Sequence, residues 1–437
     1  MNSTAQSTLF SRQKLGFHYF PDTFHYTEKD LQQWLPFLMD LGVGWLVLRT
    51  EINRAIPEYF INGLLKAGIQ PVIQFPLSLQ SPPDLKAISP LVEVYSDWGA
   101  IFHQYFDRPN THQSWPANQW AQQDLVERFL DRYLPLAGIS VEAGAFPLFP
   151  PLEPGGNFWD TTFLRAALQA IERRKLNALL DRLILAIYGW TFQRPLNWGE
   201  GGPQNWPEAR PYFTPPHSQD QQGFRSFDWY SAISEAVLQK RCPMILLQAG
   251  LPTAPEKLSM KLEKLPEVQE NYVEILNGLN ASSQTQSENN PKLVHLPEEI
   301  IGVNFWVLSA EQGTPFTAFA WFEEAQPVSK AASYLCQLKN VQTSRLGLPG
   351  ILDEEALRKA IRPLQHYLYL GENEEGRLAS VFQKHSSFIL QHHPTIGFSL
   401  DEARLANRIT LAVTPDQVPP EVLETFQKQG CQIDWLE

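Results

Sequence analysis

Two acidic residues, Asp107 and Glu153, each follow an apolar segment and stand in a rigid loop. Glu153 lies in "LFPPLEPGGNFWD", residues 148–160, where prolines, glycines and aromatic residues surround a single carboxylate. Its apolar neighbours would favour the protonated form, which suits a general acid. Asp107 lies in "FDRPN", directly before Arg108, and a nearby guanidinium would keep it ionised, as a base or a nucleophile must be. The two residues therefore form a candidate acid and base pair for hydrolysis.

Glu51, in "WLVLRTE", is a third candidate for a catalytic carboxylate at the end of a strand. Each of the three acids also has a purely structural interpretation. Glu51 could form an ion pair with Arg49 on the same strand face. "DRPN" is a good turn, in which Asp107 would accept backbone N–H bonds. "EPGG" could be a plain loop that leaves Glu153 in solvent.

Tryptophans and polar residues near the strand ends indicate a ligand that is neutral and rich in hydroxyl groups. The chain has 13 Trp, and several stand beside Pro, Gly and Asn in the loop of residues 189–212. Such positions favour stacking on sugar rings over deep core packing, and Trp206 shares this setting. The candidate substrate-binding residues are His18, Arg108, Asn110, Trp159, Trp190, Trp198, Asn304 and Trp306. For His18, a satisfied core or rim histidine is the alternative.

Composition excludes several other functions. The formal net charge of −12 argues against a nucleic-acid partner, because phosphate binding needs a basic surface. The cysteines, Cys242, Cys336 and Cys431, are far apart and lack metal-ligand spacing, so we predict a reducing compartment, no metal and no cofactor. No segment is long and apolar enough to span a bilayer, and the N-terminal residues lack the apolar core of a signal peptide. We therefore expect a cytoplasmic protein without a membrane partner.

Apolar segments that alternate with amphipathic ones predict the elements that position these residues. The eight predicted strands cover residues 15–20, 45–51, 70–77, 100–110, 143–153, 183–190, 243–250 and 300–308. This number and alternation predict an α/β fold, a (β/α)8 TIM barrel over residues 14–345. A doubly wound open sheet is the alternative, but the chain has neither GxGxxG nor GxxxxGK[ST]. The polar stretch 280–292 is predicted to be a mobile insertion.

The pattern changes after about residue 345. The segments "QHYLYL", "TIGFS", "ITLAV" and "CQIDWL" predict four short strands, with helices over "LDEARLAN" and "PEVLETFQKQG" between them. We therefore predict a small C-terminal α/β domain over residues 360–437. Such a module could dock a protein partner.

The chain resembles the glycoside-hydrolase-like TIM barrels over roughly residues 14–330. The resemblance rests on the opening "GFHYFPD", the strand "GVGWLVLRTE" and the Trp-rich loops "GWTFQRPLNWGEGGP" and "NFWVL". It implies a carbohydrate-active hydrolase that cleaves a glycosidic bond of an oligosaccharide or another glycan. Such cleavage needs two carboxyl groups, about 5–5.5 Å apart for retention and about 6.5–9.5 Å apart for inversion.

The chain departs from that pattern at the two expected catalytic positions. The large retaining clan has an Asn-Glu acid/base at the end of strand four and a Glu nucleophile at the end of strand seven. Here strand four ends in "FDRPN" and strand seven in "LLQAGLP", so that pair does not carry over. Two hypotheses remain: a hydrolase that uses Asp107 and Glu153, and a non-catalytic barrel that binds carbohydrate or docks a partner. A metal-dependent barrel hydrolase is disfavoured, because no histidines cluster at the strand ends.

Overall fold

The computed structural model describes most of the chain. The described residues are 13–258, 265–283, 294–341, 364–371, 378–428 and 431–436. They divide into two compact units, which are not continuous in sequence. The first unit comprises Met1–His25, Phe37–Ala55 and Gly68–Leu348, and the second comprises Tyr26–Pro36, Ile56–Ala67 and Pro349–Glu437. No helix in the described part of the chain is long and apolar enough to cross a membrane.

Eight parallel strands form a closed barrel in the first unit, which confirms the predicted fold class. The strands are β1 Leu15–His18, β2 Trp45–Arg49, β3 Gln70–Phe75, β4 Phe102–Tyr105, β5 Phe146–Phe149, β6 Ile184–Gly189, β7 Met244–Ala249 and β8 Ile300–Phe305. Each strand pairs with its neighbour in sequence, and β8 closes the barrel on β1 through Leu15 opposite Val303. The strands are buried on both faces, so they appear in the sequence as continuous apolar segments.

Side chains fill the barrel interior, and a glycine in β1 lets two large side chains approach its backbone closely. Trp45 of β2 is fully buried in this interior. A Cβ on Gly16 of β1 would lie 2.3 Å from Asn304 Oδ1 and 2.7 Å from Trp45 Cβ. The glycine therefore makes room for two large neighbours, as expected for a packed barrel core.

Helices alternate with the strands as predicted. They are α1 Glu28–Asp40, α2 Glu58–Lys66, α3 Leu85–Asp97, α4 Ala117–Trp120, α5 Leu125–Glu142, α6 Asp160–Arg173, α7 Asn177–Leu180, α8 Gly202–Asn205, α9 Ser226–Leu238, α10 Leu265–Ser283 and α11 Lys330–Leu338. After β8, a two-stranded ribbon follows, made of β9 Phe322–Glu323 and β10 Gln326–Pro327. Thr27 caps the start of α1, with Asp30 N donating to Thr27 Oγ1 at 3.3 Å.

Several element boundaries differ from the prediction. α3 was not predicted, although Asp84 caps it by accepting from Lys86 N at 3.0 Å and the helix includes Pro90. α5 begins later and extends further than the predicted helix near 119–133, because its buried stripe continues to Ser140. The polar stretch predicted as an insertion is helical up to Ser283, at the end of α10, and its remainder lies outside the described residues.

The second unit contains a parallel four-stranded sheet with the order β12-β11-β13-β14, which confirms the predicted C-terminal α/β module. Its elements are β11 Leu364–Tyr369, α12 Leu378–His392, β12 Thr395–Gly397, α13 Leu400–Ala403, β13 Ala406–Leu411, α14 Pro420–Lys428 and β14 Gln432–Trp435. α12 was not predicted. The domain boundary predicted between residues 345 and 360 falls within 342–363, outside the described residues, and stays a prediction.

Candidate functional site

Five charged residues meet at the carboxyl ends of β4, β5 and β7, and we call them the mouth cluster. Asp107 and Arg108 follow β4, Glu153 follows β5, and Glu256 and Lys257 lie in a short 3-10 helix after β7. The carboxyl ends of barrel strands are where TIM-barrel enzymes carry their functional residues. The structure thus brings together the two acids that the sequence singled out.

Both carboxylate oxygens of Asp107 are engaged. Tyr188, in β6, donates its hydroxyl to Asp107 Oδ1 at 2.5 Å, and Arg108 Nε donates to Oδ2 at 2.9 Å. Removal of the carboxylate from water raises the pKa of Asp107, while Arg108 and Tyr188 oppose that rise. Because 41% of the side chain is exposed, water also limits the rise.

Glu153 lies among cations and not in the apolar setting expected from its sequence neighbours. Lys257 Nζ donates to Glu153 Oε1 at 2.6 Å, and Arg108 Nη1 lies 3.5 Å from Oε2. Each of the two carboxylate oxygens of Glu153 therefore has a cationic partner in the structure.

Arg108 connects the acids of the mouth cluster. Its guanidinium contacts Asp107, Glu153 and Glu256, the last through Nη1 and Oε1 at 2.5 Å. Its backbone has a φ of +43°, in the left-handed region. Since one planar guanidinium contacts both acids, the nearest oxygens of Asp107 and Glu153 can be at most roughly 9 Å apart. That bound is compatible with the spacing of an inverting pair.

Asn110 holds the Glu153 loop in place, which explains the rigid residues around this acid. Its Nδ2 donates to the carbonyl oxygens of Glu153 and Phe158, both at 2.9 Å, and its Oδ1 accepts from Glu153 N at 2.9 Å. A Cβ on Gly156 would lie 2.5 Å from Asn110 Nδ2, so a glycine is needed there. Asn110 is fully buried. These contacts assign it a positioning role, in place of the predicted contact with substrate.

Glu51 lies elsewhere, in a cleft of about 700 Å³ beside the ends of β1, β2 and β3. We call it the β1–β3 cleft, and its lining includes Asp22, Thr23, Phe24, Arg49 and Glu51. Thr23 Oγ1 donates to Glu51 Oε1 at 2.8 Å.

Asp22 is fixed at the edge of the same cleft by Phe24 N at 2.9 Å and by His25 Nδ1 at 2.8 Å. Burial alone would raise the pKa of Asp22, but the hydrogen bonds from His25 and Phe24 outweigh it and lower the pKa. Asp22 is therefore ionised near neutral pH.

His18 and Asn304 are buried inside the barrel, so the structure does not present them to a ligand. His18 Nε2 lies 2.7 Å from Leu247 O, and burial lowers the pKa of His18 to about 4. Asn304 is fully buried and donates to Leu246 O at 3.0 Å. The His18 side chain reaches from β1 to β7, two strands away, while Asn304 links β8 to its neighbour β7. Trp306, directly after β8, packs edge-on against His18 and is only half-buried.

The tryptophans of the β6 loop are more buried than their Gly and Pro neighbours predicted. Trp190 is only 1% exposed, stacks on Tyr188 with ring centroids 4.3 Å apart, and donates to Gln248 Oε1 at 3.0 Å. Trp198 is half-buried and donates to Asp220 Oδ1 at 3.0 Å. Trp206 donates to a backbone carbonyl in its own loop. The loop folds around its own polar residues, so the glycines and prolines beside these tryptophans do not leave the indole rings exposed.

Trp159 is also largely buried, at the N-terminal end of α6. Its backbone N–H donates to the Tyr212 hydroxyl at 2.8 Å, and the two rings lie 5.2 Å apart. Tyr212 and its neighbour Phe213 are exposed. Thus the exposed aromatic faces near this loop belong to residues that the sequence analysis did not single out.

Tyr188, Glu256 and Lys257 were not singled out either, although they contact the two candidate acids. Their position in the sequence, at or after the ends of β6 and β7, is the signal that could have identified them. Among the described residues, no group of three or more His, Cys, Asp or Glu could hold a metal ion.

Comparisons with known proteins found similarity to solved structures. No family model matches the chain, and no curated protein matches it. A family 39 glycoside hydrolase from Bacteroides cellulosilyticus WH2 is 10% identical, with a TM-score of 0.44, over 76% of this chain and 64% of that one. A β-xylosidase from Caulobacter crescentus CB15 is 12% identical, with a TM-score of 0.46, over 75% and 68%. Saccharomyces cerevisiae Gas2p, solved with laminaritetraose and laminaripentaose, is 10% identical, with a TM-score of 0.40, over 76% and 61%.

The chain therefore spans less than two thirds of the length of two of these three proteins. At such identities and TM-scores the matches carry no argument about activity. The barrel itself rests on the strand pairing of this chain.

Proposed function

We propose that this protein binds a neutral carbohydrate at the carboxyl end of its barrel without cleaving it. The observation that carries the proposal is the ion pairing of the mouth cluster. Lys257 holds Glu153, and Arg108 and Tyr188 hold both oxygens of Asp107. A glycosidase needs one protonated carboxyl and one carboxylate with an oxygen free to attack or to activate water. In the mouth cluster all four oxygens of Asp107 and Glu153 have a partner within 3.5 Å, so neither carboxylate has an oxygen free to attack or to activate water.

The surface around the strand ends supports a ligand rich in hydroxyl groups. Carboxylates and a guanidinium offer many hydrogen-bond acceptors and donors in fixed positions. Exposed aromatic side chains, Phe24, Tyr212 and Phe213, provide faces on which the C–H side of a sugar ring can stack. The net charge of −12 disfavours an anionic ligand.

Titration calorimetry tests the binding proposal directly, with laminaritetraose, xylotetraose and cellotetraose as the probes. We expect at least one probe to bind, and we expect no new reducing ends after prolonged incubation with the protein. Reducing ends that appear with the wild type and are lost in Glu153→Gln would overturn the proposal. Failure of every probe to bind would overturn it as well.

Hydrolysis by Asp107 and Glu153 is the second candidate function, and one observation favours it. The shared contacts with Arg108 keep the two acids within roughly 9 Å of each other, a spacing that inverting enzymes use. In that case Glu153→Gln should lower turnover by about 10²–10⁴-fold, the usual contribution of a general acid. Lys257→Met, which removes the partner of Glu153 Oε1, should then raise turnover.

The remaining sequence predictions stay part of this proposal. The three free cysteines are buried, which fits the proposed reducing, cytoplasmic environment. We also propose that the C-terminal α/β module contributes a surface for a protein partner. Chemical cross-linking and co-purification with the full chain would test the second point, and cross-links to a partner that map only outside residues 364–436 would contradict it.

A further inference from the structure

The β1–β3 cleft shares no residue with the mouth cluster. It opens beside the ends of β1, β2 and β3 and has a volume of about 700 Å³. Small-molecule sites commonly have volumes of about 300–1,000 Å³. The cleft is therefore large enough for a sugar ring, and its ability to bind one does not depend on the ion pairs of Arg108.

An exposed aromatic ring stands at the edge of this cleft. Phe24 is 76% exposed, the largest exposed fraction among the large hydrophobic residues that the structure describes. Its backbone is fixed, because Phe24 N donates to Asp22 Oδ1 at 2.9 Å. Ile52 adds a second partly exposed apolar side chain to the lining. Apolar side chains held in solvent at the rim of a cavity are typical of ligand sites.

The polar lining of the cleft contains groups of both signs. Glu51 accepts a hydrogen bond from Thr23 at Oε1, and a carboxyl group has two oxygens that can accept. Asp22 is ionised, since its hydrogen bonds lower its pKa. Arg49 is exposed at the end of β2 and donates to Pro21 O at 3.3 Å. The lining thus contains both acceptors and donors, with no excess of positive charge that would select an anion.

We propose that the β1–β3 cleft binds one ring of a neutral glycan, an inference that rests on the proposed function. Phe24 stacks on the C–H face of the ring. Glu51 and Asp22 accept hydrogen bonds from ring hydroxyls, and Arg49 donates to a ring or hydroxyl oxygen. The site recognises hydroxyl groups on one side and an apolar face on the other, which is the amphipathic character of a pyranose.

Calorimetry with the probe that binds the wild type most tightly tests this inference. Phe24→Ala removes the stacking ring, and Glu51→Gln removes the charge-assisted acceptor while keeping its size. Each change should weaken binding by about tenfold, since a charge-assisted hydrogen bond or an aromatic contact contributes on the order of 1.4 kcal/mol. Phe382→Ala is the matched control, because Phe382 is also exposed but belongs to α12 in the second unit. It should leave the affinity unchanged.

The outcomes separate this inference from the function on which it rests. If the wild type binds no probe, the proposed function fails, and the inference fails with it. If the wild type binds a probe and both cleft variants bind it equally well, the function stands and the cleft is the wrong site. Both altered side chains reach solvent, so both variants should keep the wild-type melting temperature, and a loss of affinity then reports on the site itself.

Discussion

A single buried amide, Asn110, fixes the backbone of the loop that carries Glu153. It makes three hydrogen bonds with Glu153 and Phe158, and each joins it to a backbone group. Its removal would take this partner from Glu153 N and Phe158 O, while Glu153 O would keep the hydrogen bond from Gly156 N at 2.9 Å. Each unsatisfied buried group costs about 1–3 kcal/mol.

We therefore expect Asn110→Ala to destabilise the protein by about 3 kcal/mol or more. The measurement is thermal unfolding of the purified full chain. Asn157→Ala is the control in the same loop, because Asn157 is exposed and accepts only from His112 N, at 2.9 Å. It should cost less than about 1 kcal/mol. Equal destabilisation by both changes would show that Asn110 does not hold the loop.

Asp160, at the start of α6, is a buried acid whose protonation should govern stability. It accepts from Gly155 N, Gln221 Nε2 and the Tyr230 hydroxyl. Burial raises its pKa from 3.8 to about 6, although these three hydrogen bonds oppose the rise. Because the folded state holds the proton more tightly than the unfolded state, the stabilising contribution is present below pH 4 and is lost as the pH rises through 6.

Asp160→Asn should abolish this dependence. Between pH 4.5 and pH 7.5, the stability of the variant relative to the wild type should increase by about 2 kcal/mol. Melting temperatures of both proteins at the two pH values provide the measurement. Asp181→Asn, at an exposed acid, should show no such change. A constant difference between Asp160→Asn and the wild type across this range would contradict the assignment.

At these single residues, the sequence predicted the two acids but not their environment. The apolar neighbours of Glu153 in the chain suggested a protonated acid. Its actual partner, Lys257, lies 104 positions away, and the Tyr188 partner of Asp107 lies 81 positions away. No local spacing encodes such contacts, because they arise only when the barrel closes. The acid role of Glu153, inferred from its sequence neighbours alone, stays a prediction.

The β6 loop is the element whose structure departs furthest from its sequence pattern. Its glycines and prolines predicted exposed tryptophans, yet the loop folds around a buried carboxylate, Asp220. Asp220 accepts from Arg194 Nη1 at 2.5 Å, Trp198 Nε1 at 3.0 Å and Thr214 Oγ1 at 2.6 Å. In contrast, the barrel strands were predicted well, since burial on both faces leaves a continuous apolar signal.

Asp220→Asn should loosen this loop, because it removes the charge that pairs with Arg194 and replaces one of the two acceptor oxygens with an NH2 donor. In the Asp220–Arg194 ion pair the carboxylate is buried and the guanidinium is partly exposed. Breaking it should lower the free energy of unfolding by about 2–4 kcal/mol. Chymotryptic cleavage after the exposed Phe213 should become faster. Glu208→Gln, at an exposed acid of the same loop, is the control and should leave the cleavage rate unchanged. Unchanged cleavage in Asp220→Asn would mean that other contacts hold the loop.

For the molecule as a whole, the second unit is assembled from distant parts of the chain. Residues 26–36 and 56–67 belong to the same compact unit as residues 349–437. Within it, Thr395 of β12 donates to Glu58 of α2, and burial raises the pKa of Glu58. The Tyr59 hydroxyl also donates to Tyr26 O at 2.7 Å. The sequence pattern predicted a module confined to 360–437, because amphipathic helices do not reveal which sheet they cover.

Because the second unit includes these two early segments, we can predict the behaviour of a shortened chain. This chain ends at residue 345, the boundary expected from the sequence. Such a fragment keeps residues 56–67 but loses the sheet of the unit to which they belong. Tyr59, Phe60 and Ile61 of α2 are buried in the full chain. The hydrogen bond from Thr395 to Glu58 is lost with the sheet, and each large side chain of α2 that the sheet covers would lose about 1.5–3 kcal/mol, against about 5–15 kcal/mol for a whole domain. We therefore expect the fragment to lack a cooperative thermal transition or to be insoluble, while the full chain unfolds cooperatively. A fragment that melts near the temperature of the full chain would instead establish residues 14–345 as an independent domain, with the two early segments needing no partner from the C-terminal residues.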